Sequence, residues 1–277
     1  MTIRTSREQF DRQAVHYNAQ WNDWNKESLV WMTEHAHAEP SHRLLDVATG
    51  TGFTTLHFAP QVAEVVGIDV SGGMLGQARE RAKTAGIANA TFQVAPAESI
   101  PFPGMTFDLV TCRIAAHHFN SAPGFVVEAA RVLKPGGRLV VADSTVPDNE
   151  PEVDRWQNHV ELLRDPSHVR NYTPAEWRGF VERAELRLEE MTTTGGSIPI
   201  TFVDWLRKSG CHGEPAAELR RLFLEASGKV RQAFRIEPIE GGDIAFQWMR
   251  LVLSAIKPPH PVAEGLDGVK GLPTPET

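Results

Sequence analysis

The residues best suited to bind a ligand are two acidic side chains that end apolar runs. Asp46 lies at the end of one such run and is followed by Gly50 and Gly52, while Asp69 ends a second run. Glycine permits a turn that a ligand can approach closely, and a carboxylate after the second strand can accept both ribose hydroxyls of a nucleotide. A plain tight turn has the same glycines, so the loop alone does not decide. The order strand, glycine turn, helix, strand, acid favours a site for a nucleotide-like cofactor.

Details of the loop favour S-adenosylmethionine over a dinucleotide. Dinucleotide loops have the spacing G-x-G-x-x-G, in which the third glycine lets helix and strand pack closely around a pyrophosphate. Thr55 occupies the position of that third glycine. Asp46 places a negative charge before the loop, where it would repel a pyrophosphate and attract a cationic ligand group.

Histidines supply the candidates for proton transfer. His117 and His118 follow a predicted strand, and an imidazole titrates near neutral pH. For His117 a role as general base and a purely structural hydrogen bond both stay open, whereas for His118 we favour the structural role. His168 and Arg170 lie in a polar loop that either lines a substrate opening or forms a turn, and we favour the turn.

Alternating strands and helices must position these residues. Apolar and β-branched segments predict strands at residues 43–47, 64–69, 91–95, 106–112 and 138–143. Ser71 suits a helix N-cap and Pro123 a first helical position. The alternation predicts parallel strands with right-handed crossovers, whose carboxyl ends form one ligand cleft. The positions expected around that cleft are Asp46, Asp69, the Ala97 region, Arg113 and Asp143.

A different pattern follows this core. Thr173 and Glu176 have the spacing of a capping box, a strand is predicted at 186–193, and helices are predicted from Thr201 and Pro215. Residues 236–256 predict a hairpin whose second arm closes the sheet as an antiparallel strand. We expect one domain over residues 1–257. Its expected parts are an N-terminal helical lid (1–40), a cofactor-binding core (41–146), a helical substrate-side segment (147–235) and a closing hairpin (236–257), followed by a flexible tail (258–277).

The region 44–143 resembles the class I S-adenosylmethionine-dependent methyltransferases, in the branch that contains the ubiquinone and menaquinone biosynthesis enzymes. The matching segments are DVATGTG (46–52), GIDVS (67–71), ML (74–75), AESIPF (97–102), FDLV (107–110), AAHHF (115–119) and EAARVLKPGG (128–137). The resemblance implies an α/β, Rossmann-like fold. Its expected features are a seven-stranded, mostly parallel sheet with one antiparallel strand, helices on both faces, and extra helices that cap the substrate.

The resemblance also implies a set of site residues. The cofactor-binding residues are Tyr17, Asp46, Thr49, Gly50, Gly52, Asp69, Val70, Met74, Ala97, Glu98 and Arg113. Asp46 and the glycines are implied at the methionine portion of S-adenosylmethionine and Asp69 at its ribose, while Phe10 and Tyr17 are candidates for a lid. One position departs from the family, because Pro96 stands where many relatives have an aspartate for the adenine amino group. The expected catalytic pair is His117 with Asp143, since a histidine and an aspartate pair at these positions in some sugar O-methyltransferases.

The implied activity is methyl transfer to a small-molecule acceptor by in-line displacement, which converts S-adenosylmethionine to S-adenosylhomocysteine. A non-catalytic S-adenosylmethionine-binding partner or sensor is one alternative, and an NAD-dependent oxidoreductase is a weaker one. Nothing in the sequence distinguishes oxygen, nitrogen, sulfur and carbon acceptors.

Composition bounds the partners and the compartment. The 277 residues carry a net charge of -7, which disfavours nucleic acid as a general partner. No apolar run approaches a membrane span, and we expect no signal peptide. The two cysteines, Cys112 and Cys211, provide neither a disulfide framework nor a metal site, which is typical of a cytoplasmic protein. A homodimer is compatible with the sequence, which leaves the oligomeric state open.

Overall fold

The computed structural model describes residues 6–13, 20–195 and 199–259. The main sheet contains β1 (Arg43–Val47), β2 (Glu64–Asp69), β3 (Ala90–Val94), β4 (Phe107–Arg113), β5 (Leu133–Ser144), β6 (Arg187–Gly195) and β10 (Met249–Ile256). A small sheet contains β7 (Ile200–Thr201), β8 (Glu237–Pro238) and β9 (Ile244–Phe246). The helices of the described residues are α1 (Ser6–Gln13), α2 (Gln20–Ala36), α3 (Phe53–Phe58), α4 (Gly72–Thr84), α5 (Ala122–Val132), α6 (Pro151–Arg164), α7 (Pro174–Arg183), α8 (Phe202–Ser209), α9 (Glu214–Leu224) and α10 (Gly228–Phe234). None of these helices is long and apolar enough to cross a bilayer.

The seven strands lie in the order β3-β2-β1-β4-β5-β10-β6. Strands β1 to β5 pair in parallel, and β10 runs antiparallel to both β5 and β6. This arrangement confirms the predicted α/β, Rossmann-like sheet with one antiparallel strand. The chain runs outward from β1 to β3 and then returns to β4, so the strand order reverses between β1 and β4. The carboxyl ends of these two strands therefore flank the crevice in which such sheets bind ligands.

The central strands are apolar in consecutive positions because both faces of the sheet are covered. Leu44 and Leu45 in β1 are both 0% exposed, and they belong to separate hydrophobic clusters on opposite faces. Phe125 of α5 and Trp177 of α7 pack on the face of Leu45, while Met32 of α2 packs on the face of Leu44. Helices on both faces leave the carboxyl edge of the sheet as its open side.

The segment after β5 builds a second apolar core. Helices α6, α8, α9 and α10 pack with β7 and β9 around a cluster of aromatic rings. The rings are Trp156, Phe202, Trp205, Phe223, Phe234, Phe246 and Trp248. These are the extra helices that the sequence predicted beside the core.

One detail of the predicted closing hairpin is wrong. The predicted continuous arm from residue 244 to the end of the hairpin is two strands, because β9 pairs with β8 in the small sheet and β10 pairs in the main sheet. The chain changes sheets at Gln247, whose backbone N–H donates to the carbonyl of Phe234 at 2.7 Å. Trp248, the next residue, is 7% exposed and packs in the second core. The interruption between β9 and β10 thus coincides with the burial of this indole.

Replacing Thr173 by alanine is expected to reduce the free energy of unfolding by about 1 kcal/mol. Its hydroxyl accepts the backbone N–H of Glu176 at 3.2 Å, and the Glu176 carboxylate accepts the backbone N–H of Thr173 at 2.9 Å. The substitution removes one of these two reciprocal hydrogen bonds at the start of α7. Urea unfolding measures the resulting loss of stability. Thr84→Ala is the control, since the Thr84 hydroxyl donates to a carbonyl of its own helix and caps no helix start, and an equal effect of both substitutions would contradict the capping role.

Candidate active site

Asp46 lies at the carboxyl end of β1, enclosed by hydroxyl groups. Thr111 from β4 donates to one carboxylate oxygen at 2.9 Å, and Thr55 from α3 donates to the other at 3.0 Å. The Thr49 hydroxyl lies 2.8 Å from the Thr55 hydroxyl and completes the set of hydroxyls around Asp46. Asp46 is 1% exposed, and burial raises its pKa although the threonine hydroxyls oppose that shift. The carboxylate is thus fixed in orientation but poorly solvated, so a cationic ligand group nearby would stabilise it.

The glycine loop is held by Asp69 at the end of β2. One carboxylate oxygen accepts the backbone N–H of Gly50 at 2.8 Å, and the other accepts that of Ser71 at 2.8 Å. Gly52 has a φ of 85°, and an added Cβ would lie 3.0 Å from the Cβ of Ala78. A side chain at Gly52 would therefore be strained in its backbone and crowded against α4.

Asp69 shares this end of the sheet with other carboxylates. Its pKa is raised to about 6. Burial is the main cause, and the negative charges of Asp46 and Asp11 add to it, while the two backbone hydrogen bonds act in the opposite direction. Each carboxylate oxygen binds one N–H group and retains a further lone pair. Asp69 can therefore accept additional hydrogen bonds from a ligand hydroxyl pair.

A cavity of about 520 Å³ opens beside Asp69. We call it the larger cavity, to distinguish it from a smaller one described below. Its lining includes the predicted residues Asp69, Val70, Ala97 and Glu98. The other predicted cofactor-binding residues of the described chain lie outside its lining; they are Asp46, Thr49, Gly50, Gly52, Met74 and Arg113. Tyr17 lies outside the described residues.

Met74 and Arg113 lie close behind the ligand crevice. Met74 is 1% exposed, and its backbone N–H donates to the Ser71 hydroxyl at 3.0 Å. The Arg113 guanidinium donates to the hydroxyls of Thr54 at 2.9 Å and Ser28 at 3.4 Å. These contacts connect β4 with α2 and α3.

Helix α1 lies across the larger cavity. Ser6, Arg7 and Phe10 are part of the cavity lining. The Ser6 hydroxyl donates to the carbonyl of His118 at 3.1 Å, and the Phe10 ring meets the His118 ring edge-on with centroids 5.0 Å apart. At the other end of α1, Asp11 accepts the Ser71 hydroxyl at 2.6 Å. The N-terminal helix therefore contacts the residues after β2 and those after β4, which border opposite sides of the cavity.

His117 and Asp143 form a close pair after β4 and β5. The Nδ1 atom of His117 lies 2.6 Å from the Asp143 carboxylate, which also accepts the His117 backbone N–H at 3.1 Å. Asp143 is 3% exposed. Burial disfavours the imidazolium, but the charge and hydrogen bond of Asp143 outweigh burial and raise the pKa of His117. The pair keeps the proton on Nδ1, so Nε2 is the atom that can accept another.

Two further histidines surround His117. Its ring centroid lies 4.2 Å from that of His118 and 5.7 Å from that of His168. Burial and the charge of His117 lower the pKa of His118 to about 4, and burial lowers that of His168 to about 2. Both rings are therefore neutral near pH 7. The structure shows His118 against Ser167, whose carbonyl lies 3.1 Å from His118 Nδ1.

His168 belongs to the site although the sequence favoured a simple turn for its loop. Its Nε2 lies 3.0 Å from Oδ1 of Asn158, which also accepts the backbone N–H of Asn171 at 2.6 Å. Nε2 must therefore carry the proton, and the buried Nδ1, which has no hydrogen-bond partner among the described residues, presents a lone pair. The loop is docked on His117, whose carbonyl accepts the N–H groups of Val169 and Arg170. The predicted turn is thus also part of the cavity wall.

A smaller cavity of about 140 Å³ lies on the other side of the histidines. His117 and Asp143 line it, whereas His118 and Phe10 line both cavities. His117 and His118 therefore separate the larger cavity, beside Asp69, from the smaller cavity, which is lined by residues of α6 and α8. Two ligands could approach each other at this partition. Within residues 6–13, 20–195 and 199–259, no group of His, Cys, Asp or Glu side chains is arranged to hold a metal ion.

Comparison with known proteins identifies related sequences over the same region. Residues 45–141 match a family described as a methyltransferase domain. The uncharacterized methyltransferase YcgJ of Bacillus subtilis is 34% identical over 254 residues, which cover 91% of this chain and 99% of that protein. A demethylmenaquinone methyltransferase of Symbiobacterium thermophilum is 39% identical over 153 residues, covering 51% of this chain and 59% of that protein.

Solved structures agree with these sequence matches. The crystal structure of YcgJ from Bacillus subtilis superposes with a TM-score of 0.80 at 35% identity, covering 84% of this chain and 99% of that chain. Geranyl diphosphate C-methyltransferase of Streptomyces coelicolor, in complex with Mg²⁺, geranyl diphosphate and S-adenosyl-L-homocysteine, superposes with a TM-score of 0.61 at 16% identity. This match covers 89% of this chain and 82% of that one, and its low identity supports a common fold alone.

Proposed function

This chain belongs to the class I S-adenosylmethionine-dependent methyltransferases, and from that premise we propose that it methylates a small-molecule acceptor held in the smaller cavity. The larger cavity would hold the adenosine part of S-adenosylmethionine. The observation that carries the proposal is the pair of cavities that share His118 and Phe10. A shared wall allows two ligands to meet with their reacting atoms aligned.

The residues around the larger cavity fit S-adenosylmethionine. Asp69 retains lone pairs for two ribose hydroxyls, and the backbone of Ala97 borders the space for adenine. Asp46, buried and held by hydroxyls, suits the cationic methionine end. The cavity volume of about 520 Å³ lies within the range of roughly 300–1,000 Å³ that is usual for small-molecule sites.

Recognition of adenine must differ from the common family pattern. Pro96 lines the larger cavity and offers no carboxylate for the adenine amino group. Glu98 lines the same cavity and accepts the backbone N–H of Ser121 at 3.2 Å. Because Asp69 is assigned to the ribose, we assign Glu98, the other acidic residue of the lining, to the adenine amino group, with the Ser121 N–H fixing its carboxylate.

His117 is the proposed general base. S-adenosylmethionine supplies a methyl group bonded to a positively charged sulfur. When bound, it would transfer that methyl group to the acceptor and leave as S-adenosylhomocysteine, and Nε2 of His117 would take the proton that the acceptor loses. Asp143 holds the ring by its Nδ1 and stabilises the imidazolium that results.

Formation of S-adenosylhomocysteine tests this function. The full chain is incubated with S-adenosylmethionine and fractions of a bacterial metabolite extract, and the product is measured by mass spectrometry. Product that depends on one fraction supports methyl transfer. Binding without turnover in every fraction would instead support a sensor or partner protein. A thermal shift with NAD and none with S-adenosylmethionine would contradict the proposed cofactor.

Replacing Asp11 by alanine is expected to loosen α1 and to weaken S-adenosylhomocysteine binding by about tenfold. The Asp11 carboxylate accepts the Ser71 hydroxyl at 2.6 Å and the Gly73 N–H at 3.2 Å. These are contacts between the proposed lid and α4. The measurement is trypsin cleavage within α1 with and without S-adenosylhomocysteine, together with its affinity by calorimetry. Asp11→Asn, which keeps an acceptor oxygen, should retain most of the protection; ligand-independent cleavage in the unaltered protein would contradict a lid.

A further inference from the structure

Hydroxyl groups from two further elements replace water around the carboxylate of Asp46. The Thr111 hydroxyl of β4 donates to one carboxylate oxygen, and the Thr55 hydroxyl of α3 donates to the other. Thr111 and Thr55 are both 0% exposed. We call these two residues, together with Thr49 of the glycine loop, the hydroxyl cage of Asp46. The cage supplies the hydrogen bonds that a buried carboxylate would otherwise lose with its water.

The cage suits a charged Asp46 better than a neutral one. An ionised carboxylate only accepts hydrogen bonds, so both of its oxygens match the hydroxyl protons that point at them, whereas a protonated carboxyl brings a donor of its own. Burial raises the pKa of Asp46, and the hydrogen bonds from Thr49, Thr111 and Thr55 act against that effect. The hydroxyls therefore favour the form of Asp46 that carries a negative charge.

Charged groups near Asp46 come from the neighbouring strands. Arg113 at the end of β4 lowers the pKa of Asp46 by its positive charge. Asp69 at the end of β2 is close enough for the charge of Asp46 to raise the Asp69 pKa, and burial raises that of the Cys112 thiol in β4. From α3, the His57 ring hydrogen-bonds to α2 instead. Within the described residues Asp46 has no ion-pair partner, so hydroxyls are its main local support.

The sheet is shaped to hold the cage. Asp46 and Thr111 are paired directly across β1 and β4, so the backbone fixes the Thr111 hydroxyl opposite the carboxylate. Gly67 in β2 leaves room for the other two hydroxyl-bearing residues, because a Cβ there would lie 2.9 Å from the Thr55 hydroxyl and 2.9 Å from the Thr49 methyl group. Three strands, the glycine loop and one helix therefore contribute to the surroundings of a single carboxylate.

Resting on the S-adenosylmethionine site proposed above, we propose that Thr111 and Thr55 are positioning residues that act through Asp46. They hold Asp46 as an oriented carboxylate behind the glycine loop, where its negative charge attracts the ammonium group at the methionine end of the cofactor. The attraction acts through a poorly solvated region, in which a charge has a longer reach than in water.

The test compares two ligands that differ in the methionine end. S-adenosylhomocysteine carries the amino-acid group, whereas 5′-methylthioadenosine keeps the adenosine and the sulfur without it. Calorimetry measures the affinity of the full chain for both ligands from about pH 5 to about pH 8. The ratio of the two affinities isolates the amino-acid end, because the proposed ribose contact of Asp69 is common to both ligands.

Thr111→Val is expected to weaken S-adenosylhomocysteine binding by about tenfold and to change 5′-methylthioadenosine binding by less than about twofold. In the unaltered protein the affinity ratio should fall as pH decreases, because a protonated Asp46 no longer attracts the ammonium group. In Thr111→Val this fall should begin at higher pH, since loss of a hydrogen bond to the carboxylate raises the pKa of Asp46 further. Thr111→Ser, which keeps the hydroxyl, should retain the ratio and its pH profile.

Two further variants test whether the hydroxyls act through Asp46. Thr55→Val removes the donor to the other oxygen and should produce the same pattern as Thr111→Val. In an Asp46→Asn background, Thr111→Val should cause no additional change in the affinity ratio, because the charge that the hydroxyl supports is gone. Thermal unfolding identifies the variants that are folded at the temperature of the titration.

Two outcomes would overturn the inference. The first is an equal loss of affinity for both ligands in Thr111→Val and Thr55→Val, which would show that the cage only shapes the glycine loop. The second is an affinity ratio that neither substitution changes. Failure of the unaltered protein to bind S-adenosylhomocysteine at all would contradict the proposed function instead, so the two failures are distinguishable.

Discussion

Replacing His117 by alanine is expected to lower turnover by about 10²- to 10⁴-fold, the usual contribution of a positioned general base. The imidazole lines the smaller cavity, and its Nδ1 is fixed by the Asp143 carboxylate at 2.6 Å. Without the ring, the acceptor loses the base that Asp143 positions, and the neighbouring His118 is a weaker base because burial lowers its pKa. Single-turnover formation of S-adenosylhomocysteine with an active acceptor fraction measures the effect, and S-adenosylhomocysteine affinity should change by less than roughly twofold.

Two variants control this prediction. His42→Ala removes a histidine that precedes β1, at the opposite edge of the sheet, and should leave turnover unchanged. Asp143→Asn keeps the shape of the pair but removes the charge that favours the Nδ1-protonated ring, so it should slow turnover as well. Near-normal turnover of His117→Ala would contradict the role as general base. His117 would then have only a structural role, through the contacts of its backbone carbonyl with Val169 and Arg170.

The pH dependence of turnover provides a second readout for His117. The base must be neutral before it accepts a proton, and Asp143 raises the pKa of His117 above its ordinary value. Turnover should therefore rise with increasing pH through a midpoint above that of an ordinary histidine. In Asp143→Asn the midpoint should move to lower pH, because the carboxylate charge that raised it is gone. A midpoint unaffected by this substitution would contradict the assignment.

The sheet and the edge at which Asp46 and Asp69 lie were predictable because local patterns determine them. Asp46 and Asp69 end apolar runs, and parallel strands with right-handed crossovers place such ends at one edge. The hydroxyl cage of Asp46 was not predictable, since Thr111 faces Asp46 only because of the register between β1 and β4. The bond from the Gly50 N–H to Asp69 likewise depends on a loop conformation that the sequence pattern does not specify.

The acceptor side depended on packing between distant segments. Lys208 and Arg250 both line the smaller cavity only once α8 has packed in the second core and β10 has paired with β5 in the main sheet. His168 reaches His117 because its loop hydrogen-bonds to the strand-end motif, a contact across about fifty residues of chain. Neither segment has a sequence pattern that predicts which residues pack against it. The sequence therefore predicted the edge of the sheet at which we place the methyl donor, but not the shape or charge of the space that we assign to the acceptor.

Replacing Asp69 by asparagine is expected to weaken S-adenosylhomocysteine binding by about 100-fold, because a hydrogen bond to a charged acceptor contributes roughly 1.5–3 kcal/mol. Both carboxylate oxygens already hold backbone N–H groups, one of Gly50 and one of Ser71. In asparagine, an NH₂ group replaces one of these oxygens, and it can accept a hydrogen bond neither from a backbone N–H nor from a ribose hydroxyl. The variant should therefore lose affinity and also some stability. Calorimetric titration measures the first effect and thermal unfolding the second.

Asp108→Asn separates these two effects. Asp108 also accepts a backbone N–H, that of Arg43 at 2.9 Å, and it pairs with Lys134 at 2.8 Å. It lies at the start of β4, at the edge of the sheet opposite the crevice. This control should lose stability without losing affinity for S-adenosylhomocysteine. Equal affinities of the Asp69→Asn and Asp108→Asn variants would contradict the role of Asp69 at the ribose.

The pH dependence of binding distinguishes a ligand contact of Asp69 from a structural one. Its pKa of about 6 means that the group is a carboxylate above that pH and carries a proton below it. If the ribose binds the carboxylate, affinity should be constant above pH 6 and fall as pH decreases further, by up to about tenfold per pH unit. In Asp69→Asn this slope should flatten, and any slope that persists would report the other buried carboxylate, Asp46, whose pKa is also raised. Identical slopes in the two proteins would assign the pH dependence to Asp46 and leave Asp69 only its bonds to the glycine loop.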